Sequence, residues 1–231
     1  CSATRHVHFT LDGSGPAQFT PPDLAEWPDI EFELGDEVKR VNLDTLTPAK
    51  TQSWKSGDTL LLSGKMLTGR DAAHKKLVDM IDKGEELPVD FTNRVIYYVG
   101  PVDPVREEVV GPAGPTTATR RDKFTRTMLE QTGLLGMIGK AERGKTAIDA
   151  IRDNKAVSMI AVGGAAYLVA KEITNSTLLA FPELGMEAIY EFEVKDMPVT
   201  VSVDANGESV HIEGPKIWSA KIAERIPLVQ A

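Results

Sequence analysis

A chain of 231 residues that is 42% hydrophobic and 26% charged can bury a sizeable core and does not have the composition of a disordered protein. Its 34 acidic against 26 basic side chains, a formal net charge of −8, argue against a nucleic-acid binder and against a polybasic membrane anchor. One cysteine makes an internal disulfide impossible and fits a cytoplasmic setting, and with only four histidines a self-contained metal site has few donors to draw on.

The first residue is Cys1, and the opening ten residues are polar and charged, unlike a signal peptide, so the chain reads as a piece of a longer one. Residues 6–11 alternate like a strand before the turn Asp12-Gly13-Ser14-Gly15, which assigns residues 1–15 to the end of an upstream domain. Pro16, Pro21, Pro22 and Pro28 make residues 16–32 a semi-extended linker. The main domain is then 33–231. No apolar run approaches the ~20 residues of a membrane span.

Inside that domain, apolar runs ending in Gly or Pro alternate with helical periodicity. Residues 59–64 read as a buried strand and 70–83 as a helix with Ala73, Leu77, Met80 and Ile81 inward. Residues 94–99 form a strand stopped by Gly100-Pro101, and 117–132 a helix with Phe124, Met128 and Leu129 inward. A strand at 134–138, a helix at 146–154, a strand at 156–162 and a helix to about Ile173 follow. Residues 188–194 and 199–203 then alternate with period two, and an Asn206-Gly207 turn predicts a return over 209–213, an antiparallel hairpin region. The expected fold is a layered α/β domain with mixed parallel and antiparallel strands.

Ligands of such sheets bind outside the carboxyl ends of parallel strands. Four loops follow those ends: from Ser63 to Asp71, from Gly100 through Arg120, at Gly139-Lys140, and at Gly163-Gly164. On one edge they would bring together glycines, hydroxyls, helix starts and the cations Arg70, Arg120 and Lys140, a place for a small anion, with arginine suited to a carboxylate. Taken singly, the same residues are ordinary turn chemistry and solvated surface charge.

Gly139 to Thr146 also fits G-x-x-x-x-G-K-S/T between a strand and a helix. Against a phosphate loop stand Glu142 inside the nest and the lack of an acidic strand end to hold magnesium. His6 and His8 share one side of a strand, Asp103, Glu107 and Glu108 read as a solvated loop, and Asp71 and Asp122 belong in first helical turns.

The strings Leu62-Ser63-Gly64-Lys65-Met66-Leu67-Thr68-Gly69-Arg70-Asp71 and Gly100-Pro101 to Asp122 resemble the C-terminal part of class I fumarate hydratases, the iron–sulfur fumarases. So do Ile138-Gly139-Lys140-Ala141-Glu142-Arg143-Gly144, Ala161-Val162-Gly163-Gly164-Ala165-Ala166-Tyr167 and Leu184-Gly185-Met186-Glu187-Ala188-Ile189-Tyr190, so that the resemblance covers nearly the whole chain. It implies a swivelling β/β/α-type domain, the C-terminal half of a homodimeric enzyme that interconverts fumarate and S-malate. The site is then shared with an N-terminal domain that carries most of a 4Fe–4S cluster and the general acid. The family's carboxylate-binding arginines fall on Arg70 and Arg120, its catalytic threonine on Thr116 and its substrate-binding lysine on Lys140. Cys1-Ser2-Ala3 resembles the string of the third cluster cysteine, which makes Cys1 a metal ligand. The nearest alternative is a relative acting on tartrate or mesaconate, and a more distant one is a P-loop nucleotide-binding domain. By the same resemblance the isolated chain would be inactive.

Overall fold

The computed structural model describes residues 38–104 and 107–225. Seven strands form one sheet: β1 (Lys39–Asn42), β2 (Thr59–Thr68), β3 (Val95–Tyr97), β4 (Gly136–Gly139), β5 (Val157–Ala161), β6 (Ile173–Ala180) and β7 (Ile189–Val203). The helices are α1 (Pro48–Gln52), α2 (Asp71–Asp82), α3 (Asp122–Thr132), α4 (Lys145–Asp153), α5 (Ala166–Lys171) and α6 (Val210–Arg225). The spatial order is β1-β2-β3-β4-β5-β7-β6, with β1 to β5 parallel and β7 antiparallel to β5 and β6. Strand β7 also pairs antiparallel with β2, so β2, β3, β4, β5 and β7 close into a ring.

Closure explains the near-continuous apolar runs, because both faces of these strands are buried. Alternate residues point to opposite sides. Leu60, Leu62, Met66, Val95, Tyr97, Ile138, Met159, Phe192 and Val201 fill one core inside the ring. Leu67, Ile96, Tyr98 and Met137 face outward into a second core made with Leu77 of α2, Met128 and Leu129 of α3, and Ile148 and Ile151 of α4. Burying each large side chain contributes roughly 1.5–3 kcal/mol. The mixed α/β class follows, and the helical faces read from periodicity are largely the buried ones, with Phe124, Met80 and Ile81 partly covered.

Four local expectations are corrected. Residues 63–68 belong to β2, not to a loop: Gly64 sits at φ +105°, and the strand continues past it to Thr68. Residues 173–180 are a strand; Thr174, Asn175, Ser176 and Thr177 give β6 no apolar period to read. Residues 189–203 are one continuous strand rather than two separate stretches. Lys195 and Asp196 bulge opposite Ser63, whose hydroxyl accepts the Asp196 N–H at 2.9 Å, so the break in periodicity is a bend. The turn at Asn206-Gly207 exists, with Gly207 at φ +83° and the Asp204 carboxylate accepting the N–H groups of Asn206 and Glu208. Its return is a single bridge between Val203 and Ser209, after which the chain enters α6.

Candidate active site

Because β2, β3, β4 and β5 are parallel, their carboxyl ends share one rim. Strand β2 delivers Gly69 and Arg70 there, with Arg70 the N-cap residue of α2. Gly100, just beyond β3, leaves room for its side chain: a Cβ there would lie 2.7 Å from Arg70 Cδ and Nη1. Arg70 Nη1 reaches Met186 Sδ at 3.4 Å and Nη2 lies 3.5 Å from Glu187 Oε1. Its Nε is buried with no hydrogen-bond partner.

The connection from β3 to α3 returns to the rim at Thr116. Both the N–H (2.7 Å) and the hydroxyl (2.6 Å) of Thr116 donate to the Tyr98 carbonyl. The Thr116 carbonyl accepts the Lys140 N–H at 3.0 Å, and the Lys140 carbonyl accepts the Ala118 N–H at 2.9 Å. This bridge seats Thr116 beside the end of β4. Lys140 is exposed, with Gly163 beyond β5 next to its stem. Arg120 lies on the 3-10 turn Ala118–Arg121, and its Nη2 meets Asp71 Oδ2 at 2.5 Å. The links run from Arg70 through the first turn of α2 and Asp71 to Arg120, and through Thr116 to Lys140. The four described candidates are therefore brought to one rim. Cys1, the linker at 16–32 and the His6/His8 pair lie outside the described residues.

Beneath the rim lies a second set of cations that sequence reasoning passed over. Arg121 is 1% exposed; its Nη1 donates to the Thr117 carbonyl at 2.5 Å and its Nε stands 3.1 Å from Asp71 Oδ1. Burial pulls its guanidinium pKa down, and Asp71 acts in the opposite direction. The Arg143 side chain is fully buried and bonds Asp122 Oδ1 (2.7 Å), Thr125 Oγ (2.5 Å) and Ser158 Oγ (3.2 Å). Both guanidinium groups approach the ring of buried Tyr98, whose phenol pKa burial raises. His74 Nδ1–H donates to the Arg70 carbonyl at 2.8 Å, and burial pushes the imidazole down to about 4, so the ring is neutral at pH 7. A buried arginine leaves no periodic trace, since its sequence looks like that of a surface cation; the signal for Arg121 was only its place beside Arg120.

The phosphate-loop reading fails on geometry. Asp122 Oδ2 accepts the Gly144 N–H at 2.6 Å, so a protein carboxylate already occupies the start of α4. Lys145 points into solvent, 87% exposed, and pairs with Asp149 one turn along at 2.7 Å. The hollow of about 480 Å³ lined by Arg40, Asn42, Asp44, Ser63 and Asp196 lies away from the rim.

Residues 13–214 match the family described as Fumarase C-terminus. The chain is 33% identical over 221 residues to Fumarate hydratase 2 of Leishmania major, covering 91% of this chain and 38% of that protein. It is 32% identical over 220 residues to the anaerobic class I fumarate hydratase of Escherichia coli K12, covering 90% and 39%. With the putative L(+)-tartrate dehydratase subunit beta of Methanocaldococcus jannaschii it shares 34% identity over 188 residues, 79% of this chain and 96% of that subunit. The chain thus spans about two-fifths of the length of the fumarate hydratases it matches. The strings at the strand ends and the match over most of the chain agree: it belongs to the fumarase C-terminus family.

Proposed function

We propose that this chain is the substrate-binding half of a hydro-lyase of the class I fumarase type, which interconverts fumarate and S-malate. The observation that carries the reading is the joining of Arg70, Arg120, Thr116 and Lys140 along one rim, with the Nε of Arg70 still unpartnered. A C4 dicarboxylate presents two anions, and two arginines and a lysine neutralise and orient it. In the dehydration direction the C3–H and C2–O bonds of malate break, the carbon–carbon double bond forms, and water leaves. Thr116 is the residue we assign to the C3 proton. Its hydroxyl donates to the Tyr98 carbonyl at 2.6 Å, so it takes up the C3 proton only after its own hydroxyl proton has passed to solvent, and the neighbouring cations favour the resulting negative charge. The general acid that protonates the departing hydroxyl lies outside this chain.

The reading carries further parts. Residues 1–15 close an N-terminal cluster-binding domain, 16–32 link it to the domain at 33–231, and Cys1 is one ligand of a 4Fe–4S cluster. The enzyme is a cytoplasmic homodimer, and the chain by itself is inactive. Among the described residues no group of three or more His, Cys, Asp or Glu side chains could hold a metal ion, so the described part does not fit the cluster by itself. No helix among them is long and apolar enough to cross a membrane.

One observation favours a second organisation. The chain matches nearly the full length of tartrate dehydratase beta subunits, 96% and 95% of two of them, so the other half is in that case a separate subunit and the substrate L(+)-tartrate. Both readings are tested by purifying the assembly that contains this chain anaerobically and assaying it with fumarate, S-malate and L(+)-tartrate. Turnover of one of them is expected, with kcat/KM lowered at least about tenfold in Arg70→Ala and in Lys140→Ala. An assembly that turns over none of the three, or variants that match the parent, would overturn the assignment.

A further inference from the structure

Among the carboxylates near the rim, Glu187 reaches it from a distant segment and has no part in the chemistry described above. Glu187 ends the irregular segment Pro182–Glu187 between β6 and β7. Its Oε2 accepts the Ala72 N–H at 2.8 Å, capping the start of the 12-residue α2, and its Oε1 lies 3.5 Å from Arg70 Nη2. One carboxylate thus spans the positive end of the helix and the guanidinium that precedes it, a placement the helix dipole favours. The segment is shaped to deliver it. Gly185 sits at φ +56° and ψ −123°, a conformation open to glycine, and its carbonyl accepts both the Ala188 N–H at 2.9 Å and the Tyr190 hydroxyl at 3.3 Å. That kink turns Met186 and Glu187 onto α2, where Met186 Sδ takes Arg70 Nη1.

The separation between Glu187 and Arg70 decides what the contact does. Charge-assisted hydrogen bonds to carboxylates run at about 2.7–2.9 Å. At 3.5 Å Glu187 holds the guanidinium in place electrostatically without consuming its hydrogen bonds, and Arg70 Nε remains without a partner. With side chains 22% and 25% exposed, the pair is shielded enough to stay oriented and open enough to admit an anion.

We propose that Glu187 is the positioning residue of the site: it fixes the Arg70 guanidinium against α2 and so sets the affinity for one substrate carboxylate. This rests on the hydro-lyase reading above. Steady-state kinetics of the anaerobically purified assembly test it. Glu187→Ala should raise KM for the dicarboxylate about tenfold with a much smaller change in kcat, because ground-state and transition-state binding through Arg70 fall together. Glu187→Gln retains an acceptor for the Ala72 N–H, so it preserves the helix cap and should still raise KM several-fold. In an Arg70→Ala background Glu187→Ala should change KM by less than about twofold, since the two act as one unit. A merely structural role predicts the same factor in both backgrounds.

A second readout does not depend on turnover. Phenylglyoxal labelling of Arg70, followed by peptide mass spectrometry, should be several-fold faster in Glu187→Ala and Glu187→Gln than in the parent. An active assembly whose KM is indifferent to Glu187, or equal factors in both backgrounds, overturns the proposal. If the assembly turns over none of the dicarboxylates, the hydro-lyase reading fails, and labelling still decides the link: faster labelling sustains the hold on Arg70, and unchanged labelling removes it.

Discussion

Arg70 and Arg143 occupy matching places in the fold. Each stands between a parallel strand and the helix that follows it, β2 to α2 and β4 to α4, and each faces a carboxylate from a distant segment that also takes an N–H at the helix start. Their surroundings then diverge. Arg143 is fully buried, and its Nε, Nη1 and Nη2 are all bonded, to Asp122, Ser158 and Thr125. Arg70 is part-exposed, its ion pair is 3.5 Å long, and its Nε is orphaned. A cation whose donors are all satisfied inside the protein has nothing left for a ligand. A cation held loosely at the surface end of the same kind of turn has. Between these two arginines, unsatisfied capacity together with partial exposure, more than the helix start or the charge, separates a binding position from a structural one.

The contrast breaks most visibly at Arg143. Arg143→Ala leaves the largely buried Asp122 carboxylate beside Gly144 without its cation, and breaking such a pair costs up to about 3–5 kcal/mol. The partly exposed Arg70–Glu187 pair is worth at most about 1 kcal/mol to folding. Urea unfolding of the two alanine variants should therefore separate them by at least about 2 kcal/mol. Equal destabilisation would show that Arg70 is as deeply tied into the fold as Arg143, and would remove the basis for calling it a binding residue.

A smaller effect, tied to pH, probes what lies between the two arginines. His74 packs between α2 and α3, edge-on to Tyr98 with ring centroids 5.3 Å apart and stacked on Phe124 at 6.0 Å, with Arg121 and Arg143 acting against its protonation. Its pKa is about 4 in the folded chain against 6.5 as a free side chain, and burial is the leading cause. The unfolded chain therefore takes up a proton below pH 6.5 that the folded chain refuses. The stabilisation is complete above that pH and is lost as pH falls towards 4, by about 2 kcal/mol at pH 5. His74→Gln should flatten the fall in unfolding free energy between pH 7 and pH 5. An unaltered slope would assign it to other groups.

The closed ring was legible only in pieces. Both-face burial wrote the parallel strands as continuous apolar runs, so β2, β3, β4 and β5 could be found. Strand β6 could not, because its middle residues are polar, and β7 reads as two stretches because the bulge at Lys195 and Asp196 interrupts its alternation. Ring closure depends on β2 meeting β7, more than a hundred residues apart, and no local pattern carries that. The candidate site was legible to the extent that its residues follow strand ends: Arg70, Thr116, Arg120 and Lys140 do. Glu187, Asp122 and Arg143 were not read as parts of it. Glu187 reaches the rim from a segment 117 residues beyond Arg70, and burial alone turns Arg143 from a surface-type residue into a tie between α3, α4 and β5.

The smallest expected effect is also the sharpest test of how one string divides its cations. Lys140 and Lys145 lie five residues apart in the match to a phosphate loop, and that motif makes Lys145 the phosphate lysine and Thr146 the magnesium ligand. The fold assigns them oppositely. Lys140 is bonded through its backbone to Thr116 at the rim. Lys145 begins α4, faces solvent and pairs only with Asp149 among the described residues. Exposed pairs one helical turn apart contribute little and are screened by salt. Lys145→Ala should leave the urea midpoint within measurement scatter and change kcat/KM by less than about twofold, since a screened surface pair is all that is lost. Titration of the chain with ATP and magnesium should give no heat that depends on Lys145. If Lys145→Ala damaged activity more than Lys140→Ala, or abolished micromolar ATP binding, the carboxylate of Asp122 at the Gly144 N–H would have to yield to phosphate. The start of α4, and not that of α2, would then be the binding end of this sheet.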